Sequence, residues 1–101
     1  MPSYRQFAFI TAFGALIMPP SSYAQATDEN RIGAATFEWV LANCKLSNQK
    51  SVGASLMFAQ MVINGSSVEE MSAAREQARE RVKAYPSNDA ACVDLVKKFG
   101  V

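Results

Sequence analysis

The sequence contains no histidine. That removes the commonest general base, the commonest metal ligand and every Ser-His or Cys-His nucleophile pair. Cysteine is scarce: Cys44 and Cys92 are the only two, and they lie too far apart for the Cys-x-x-Cys arrangement that lowers a redox thiol's pKa. Four prolines and five glycines in 101 residues exclude collagen-like and Pro-rich disordered chains. No segment shows the period-two alternation of a half-buried strand, and no repeat of fixed period is present. A strong charge of either sign is missing too, with ten Lys and Arg against nine Asp and Glu. Such a chain has no long-range field to draw in nucleic acid or an anionic membrane.

What is present begins with an amino-terminal order of features. Arg5 is followed by an uncharged, almost wholly apolar run from Phe7 to Met18, then by Pro19 and Pro20, then by Ala24-Gln25-Ala26. A basic start, a short apolar stretch and small residues at the first and third positions before a cut form the pattern of an export signal, here cleaved before Thr27. The apolar run is shorter than the roughly 20 residues that span a bilayer. The expected division is a signal peptide over residues 1–26 and a helical domain over 27–101. The remaining chain loses Arg5 and becomes neutral, with nine cations and nine carboxylates. The expected location is periplasmic or secreted, with no membrane attachment after cleavage.

In an oxidising compartment two cysteines are by default one disulfide, and only one pairing exists. A Cys44–Cys92 bridge closes a loop of about 48 residues, worth about 4 kcal/mol in the chain-entropy model. A domain this small rarely gains more than about 3–5 kcal/mol from its core, so the crosslink decides whether it folds.

Four helices follow from periodicity and punctuation. In the first, from Asp28 to Cys44, Gly33, Phe37, Val40, Leu41 and Cys44 share a stripe, with Trp39 at its edge and Arg31, Glu38 and Asn43 off it. The second, Gln49 to Asn64, carries Val52, Leu56, Ala59 and Ile63 on one face. Met57, Phe58, Met61 and Val62 make most of its remaining circumference apolar. A helix greasy all round is either central in its fold or half of an interface, and Gly65 is expected to end it in a left-handed conformation. Ser67 and Glu70 have capping-box spacing at the start of the third. Its Val68, Met71, Ala74 or Arg75, Ala78, Val82 and Tyr85 fall at helical intervals, and Glu69, Glu76, Arg79, Glu80 and Lys83 form a solvated face. Pro86 ends that helix. Ser87-Asn88-Asp89 opens the last one, whose apolar side is Cys92, Leu95, Val96 and Phe99, before Gly100 stops it. The fold class is an all-α four-helix bundle stapled by one disulfide.

Chemistry finds few footholds. The closest carboxylate pairs, Asp28–Glu29 and Glu69–Glu70, stand at helix starts where the dipole favours them. Met57, Met61 and Met71 are the one set of soft ligands, but methionine is equally the filler of irregular cores, and no further ligand completes a site. No enzyme activity, cofactor or metal is expected. Ser51, Ser55 and Ala59 form a row of small residues that lets another backbone approach, inside the bundle or across a dimer. Val52, Leu56, Met57, Ala59 and Ile63 are therefore the candidate residues for contact with a protein partner, a client or a second copy.

The layout resembles the periplasmic acid-stress chaperones of the HdeA/HdeB family. The matching features are Trp39 shortly before Cys44, the Val52-Gly53 pair near the start of the second helix, and Cys92 in the last. The resemblance implies a small exported helical protein that binds unfolding clients in acid. With no histidine, little charge changes between about pH 5 and 8, whereas below about pH 4 the carboxylates protonate and leave the cations unopposed. A fainter likeness is to small exported immunity proteins of contact-dependent toxin systems. The expected function is a non-enzymatic binding module of chaperone type, or else a structural or accessory component of an envelope or secretion complex.

Overall fold

The computed structural model describes residues 26–101; all but the last residue of the expected signal peptide lies outside them. The four helices are α1 (Asp28–Asn43), α2 (Gln49–Asn64), α3 (Val68–Lys83) and α4 (Asn88–Phe99), with no strand among the described residues. Each opens on a side chain that accepts a backbone N–H: Thr27 from Asn30, Asn48 from Ser51, Ser67 from Glu70 and Ser87 from Ala90. Each cap satisfies one donor that the helix start leaves orphaned. At α3 the box is complete, since Ser67 N–H donates to Glu70 Oε1 at 2.8 Å and Glu70 N–H to Ser67 Oγ at 3.0 Å.

The helix ends differ from expectation at two places. Gly65 has φ −89°, so it is not left-handed; α2 instead tightens, with Gly65 N–H shared between Met61 and Val62 and Ser66 N–H reaching Ile63. Such short-range bonds satisfy the last carbonyls without any special backbone angle. α3 stops at Lys83, ahead of Pro86, because the Tyr85 N–H already turns back to Val82 and the residue before a proline is pushed out of the helical region. Gly100 does take the left-handed angle, φ 72°, and closes α4 as expected.

α1 is the central helix. It shares an interface with each of the other three and buries Ile32, Ala34, Ala35, Thr36, Phe37 and Val40. Two clusters meet on it. In one, Ala34, Phe37 and Val40 pack with Ala59 and Val62 of α2, Val82 of α3, Ala91 and Leu95 of α4, and Val101. Phe37 and Phe99 meet edge to face at 5.3 Å between ring centres. In the other, Ile32 and Ala35 pack with Met71, Ala74 and Ala78, small side chains that let α1 and α3 approach closely. Leu41, placed on the α1 stripe by periodicity, is exposed instead, and so is Val68 at the first turn of α3.

Cys44, the C-cap of α1, is bonded to Cys92 in α4, with Cα atoms 5.4 Å apart across a sequence separation of 48. The bridge joins the end of the first helix to the early turns of the last, as expected. Val101 is buried, and its backbone oxygen accepts from Ser47 and Asn48 at 2.9 and 3.0 Å, closing the α1–α2 connection. Replacing both cysteines, Cys44→Ser with Cys92→Ser, should lower unfolding stability by about 4 kcal/mol in urea denaturation. A loss under about 1 kcal/mol would show that the core holds the bundle without its staple.

Candidate functional site

The surface that the helix arrangement leaves unused is on α2. Only α1 gives it a substantial interface, so one side of the helix is covered. Ala59 (2% exposed) and Val62 lie fully inside, while Val52, Ser55 and Ile63 are half-buried beside them. Leu56 and Phe58 flank that seam, and Met57 (68% exposed) and Met61 are exposed, as is Gly53. Taking about 200 Å² for a large side chain, the four leave on the order of 400 Å² in solvent. That is about the size of the largest apolar patch on an ordinary monomer.

The charge distribution isolates this face. Lys50 is the one charged residue among the sixteen of α2, whereas eight of sixteen are charged in α3. The solvated face expected on α3 is in place: Glu76 and Arg79 form an ion pair, and Lys83 Nζ lies 3.9 Å from Glu80 Oε2. A cleft of about 320 Å³ opens beside Phe58, walled by Gly33, Phe37, Ala54, Ser55 and Phe99. It is large enough to receive a side chain from outside.

The predicted contact residues thus divide. Leu56 and Met57 are on the open face and are joined there by Phe58 and Met61. Val52 and Ile63 pack against the core, and Ala59 is core rather than surface. Of the small-residue row, Ala59 is fully buried and Ser51 and Ser55 are half-buried. The three methionines do not converge: Met71 is buried between α1 and α3, while Met57 and Met61 face solvent. Among the described residues no group of three or more His, Cys, Asp or Glu could hold a metal ion. No described helix is long and apolar enough to cross a membrane.

Two polar clusters lie outside this face. Arg31, read from the sequence as off the buried stripe, has a side chain only 12% exposed. Its guanidinium donates to Ala26 O at 2.6 Å, Asp28 Oδ1 at 2.7 Å, Ser66 Oγ at 3.1 Å and Glu70 Oε2 at 3.1 Å. The Ser67 N–H, aided by the Arg31 charge, holds the Glu70 carboxyl below its ordinary range. Farther along α1, Glu38 receives a two-pronged bond from Arg75 at 2.9 and 3.1 Å, which ties α1 to α3.

The second cluster borders a cleft of about 520 Å³ lined by Gly33, Thr36, Val82, Leu95 and Phe99, with Arg81, Tyr85 and Lys98 also in its lining. Tyr85 Oη donates to Asp94, and Lys98 Nζ lies 3.0 Å from the same carboxylate. These donors, the tyrosine first, lower the Asp94 pKa, and the carboxylate in turn raises those of Tyr85 and Lys98. Each group is stabilised in its resting protonation state, the reverse of a site poised to move protons near neutrality.

No family model matches the chain, and no curated protein or solved structure does either.

The shifts set the pH response. Glu70 and Asp94 are lowered on folding, so their stabilisation is present above the unfolded carboxyl values near 4 and is lost as pH falls through the folded ones. Tyr85 and Lys98 are raised, so theirs is present below about pH 10 and is lost as pH climbs above it. Melting temperature should be level from about pH 5.5 to 8 and fall in acid, and Glu70→Gln with Asp94→Asn should make the acid fall shallower. A transition centred near pH 6.5 would contradict this assignment.

Proposed function

We propose that this protein is an exported, non-enzymatic protein-binding module that holds apolar segments of unfolding client proteins on the outward face of α2. The observation that carries the reading is the bare Leu56, Met57, Phe58 and Met61 surface on a helix with one charged residue. Two of the four are methionines, whose flexible, polarisable chains suit binders that accept varied sequences. Such a surface needs no catalytic group, in keeping with a chain that has no histidine.

Acid is the condition under which this module works, as its HdeA/HdeB resemblance implies. The ties between α1 and α3 run through carboxylates, Glu70 to Arg31 and Glu38 to Arg75. In strong acid a protein's carboxylates as a class take up protons, whereas the nine cations of residues 27–101 persist. Repulsion among unopposed cations then loosens α3 and widens the apolar surface around α2, while the disulfide keeps α4 on α1. A second reading, an accessory subunit of an envelope complex, is favoured by the 320 Å³ cleft beside Phe58, which suits one side chain of one fixed partner.

Light scattering from two unrelated proteins brought from acid to neutral pH tests the first reading. The wild type should suppress aggregation of both, and Met57→Glu with Met61→Glu should lose that effect. The pair should leave folding intact, since exposed substitutions usually shift stability by less than about 0.5 kcal/mol. Equal protection by wild type and variant would overturn the assignment of the surface. Protection of neither client, with a single partner retained on the wild type, would favour the accessory role.

A further inference from the structure

The bond expected to be cut when the export signal is removed, between Ala26 and Thr27, is built into the folded domain. Ala26 O accepts from Arg31 Nη2 at 2.6 Å. Thr27 is the N-cap of α1: its hydroxyl accepts from Asn30 N–H at 3.1 Å and its carbonyl from Arg31 N–H at 2.9 Å. A methyl placed on Gly65 would lie 3.5 Å from the Ala26 Cβ, so Ala26 sits in contact range of the α2–α3 turn. The same guanidinium reaches Ser66 in that turn and Glu70 in α3, and Ser66 Oγ is itself anchored to Val62 O at 2.7 Å. One nearly buried side chain therefore fastens this peptide to the start of α1, the α2–α3 turn and the start of α3.

Hydrolysis adds water across the amide: oxygen goes to the Ala26 carbonyl carbon, the C–N bond breaks, and the products are an Ala26 carboxylate and a Thr27 ammonium. A protease must bring its own donors to the Ala26 carbonyl oxygen as charge develops there. It must also hold the flanking residues extended in its groove. In the folded domain the oxygen is taken by Arg31, and the residue after the bond is committed to a helix cap. Cleavage then proceeds only from the fraction of molecules in which this end has opened.

We propose that the Arg31 cluster makes processing precede folding, so that the Ala26–Thr27 bond is cut before α1 docks on the α2–α3 turn and a precursor that folds first is cut only slowly. This rests on residues 1–26 being an export signal. After the cut Arg31 retains Asp28, Ser66 and Glu70 and loses only the Ala26 carbonyl, so the processed domain keeps its latch.

The test uses the full oxidised chain in detergent micelles with a purified membrane signal peptidase, following appearance of the Thr27 amino terminus by mass spectrometry. Three precursors are compared: wild type, Arg31→Gln, and Val40→Asp, which puts a carboxylate at a position with 0% exposure and prevents folding. Wild type should be cut at least about tenfold more slowly than Val40→Asp. Arg31→Gln, which loses charge-assisted bonds, should be cut several-fold faster than wild type. Should Arg31→Gln fail to fold, the other two precursors decide the matter. Equal rates for wild type and Val40→Asp at this bond would overturn the proposal and leave the export signal standing. A Val40→Asp precursor left intact between Ala26 and Thr27 would overturn the export signal, and the proposal with it.

Discussion

Because α1 gives its surface to all three other helices, those three have little left to offer one another. Ala34, Phe37 and Val40 look toward α2 and α4, while Ile32 and Ala35 look toward α3. α2 rests on this shared centre along a single seam, and nothing else in the described residues covers it to any great extent. The exposed Met57 and Met61 follow from that geometry. A hydrophobic helix with one neighbour has no second interior in which to place its other side.

The polar contacts reinforce the same arrangement from outside. Arg31 and the Glu38–Arg75 pair bind α1 to α3, and the Cys44–Cys92 bridge holds α4 to the end of α1. Among the described residues α2 has no such tie to its neighbours: its held places are its ends, through Asn48 and the Val101 oxygen at one and Ser66 at the other. The tie to α4 is covalent, whereas those to α3 are ionic and stand beside the Ile32, Ala35, Met71, Ala74 and Ala78 cluster.

Much of this fold is legible in the residues, and the part that is not has a common cause. Caps are local: Ser67 with Glu70, Ser87 and Gly100 announce their helix ends because the partners lie within four positions. The disulfide is forced by count. The identity of the central helix is not local. Ala34 and Ala35 add little to a hydrophobic pattern, yet their small size is what lets neighbours close on α1. Periodicity therefore leaves the greasier α2 either central or half of an interface, and its single substantial interface, with α1, makes it peripheral. Arg31 reads as a surface cation because its acceptors, Ser66 and Glu70, are more than thirty residues away. The candidate site is legible as a helix, with Val52, Leu56, Met57, Ala59 and Ile63 named together, of which only Leu56 and Met57 are exposed. Which way Ala59 and Val52 turn depends on where α1 sits.

The claim that the open face of α2 is a working surface is most directly tested by crosslinking in the living cell. A photoreactive side chain at position 57 is compared with one at position 68, where Val68 is more exposed (81%) but is followed by Glu69 and Glu70. Adducts to other proteins from position 57 that are absent from position 68 are the predicted result. Equal labelling from both positions, or none from position 57, would contradict it.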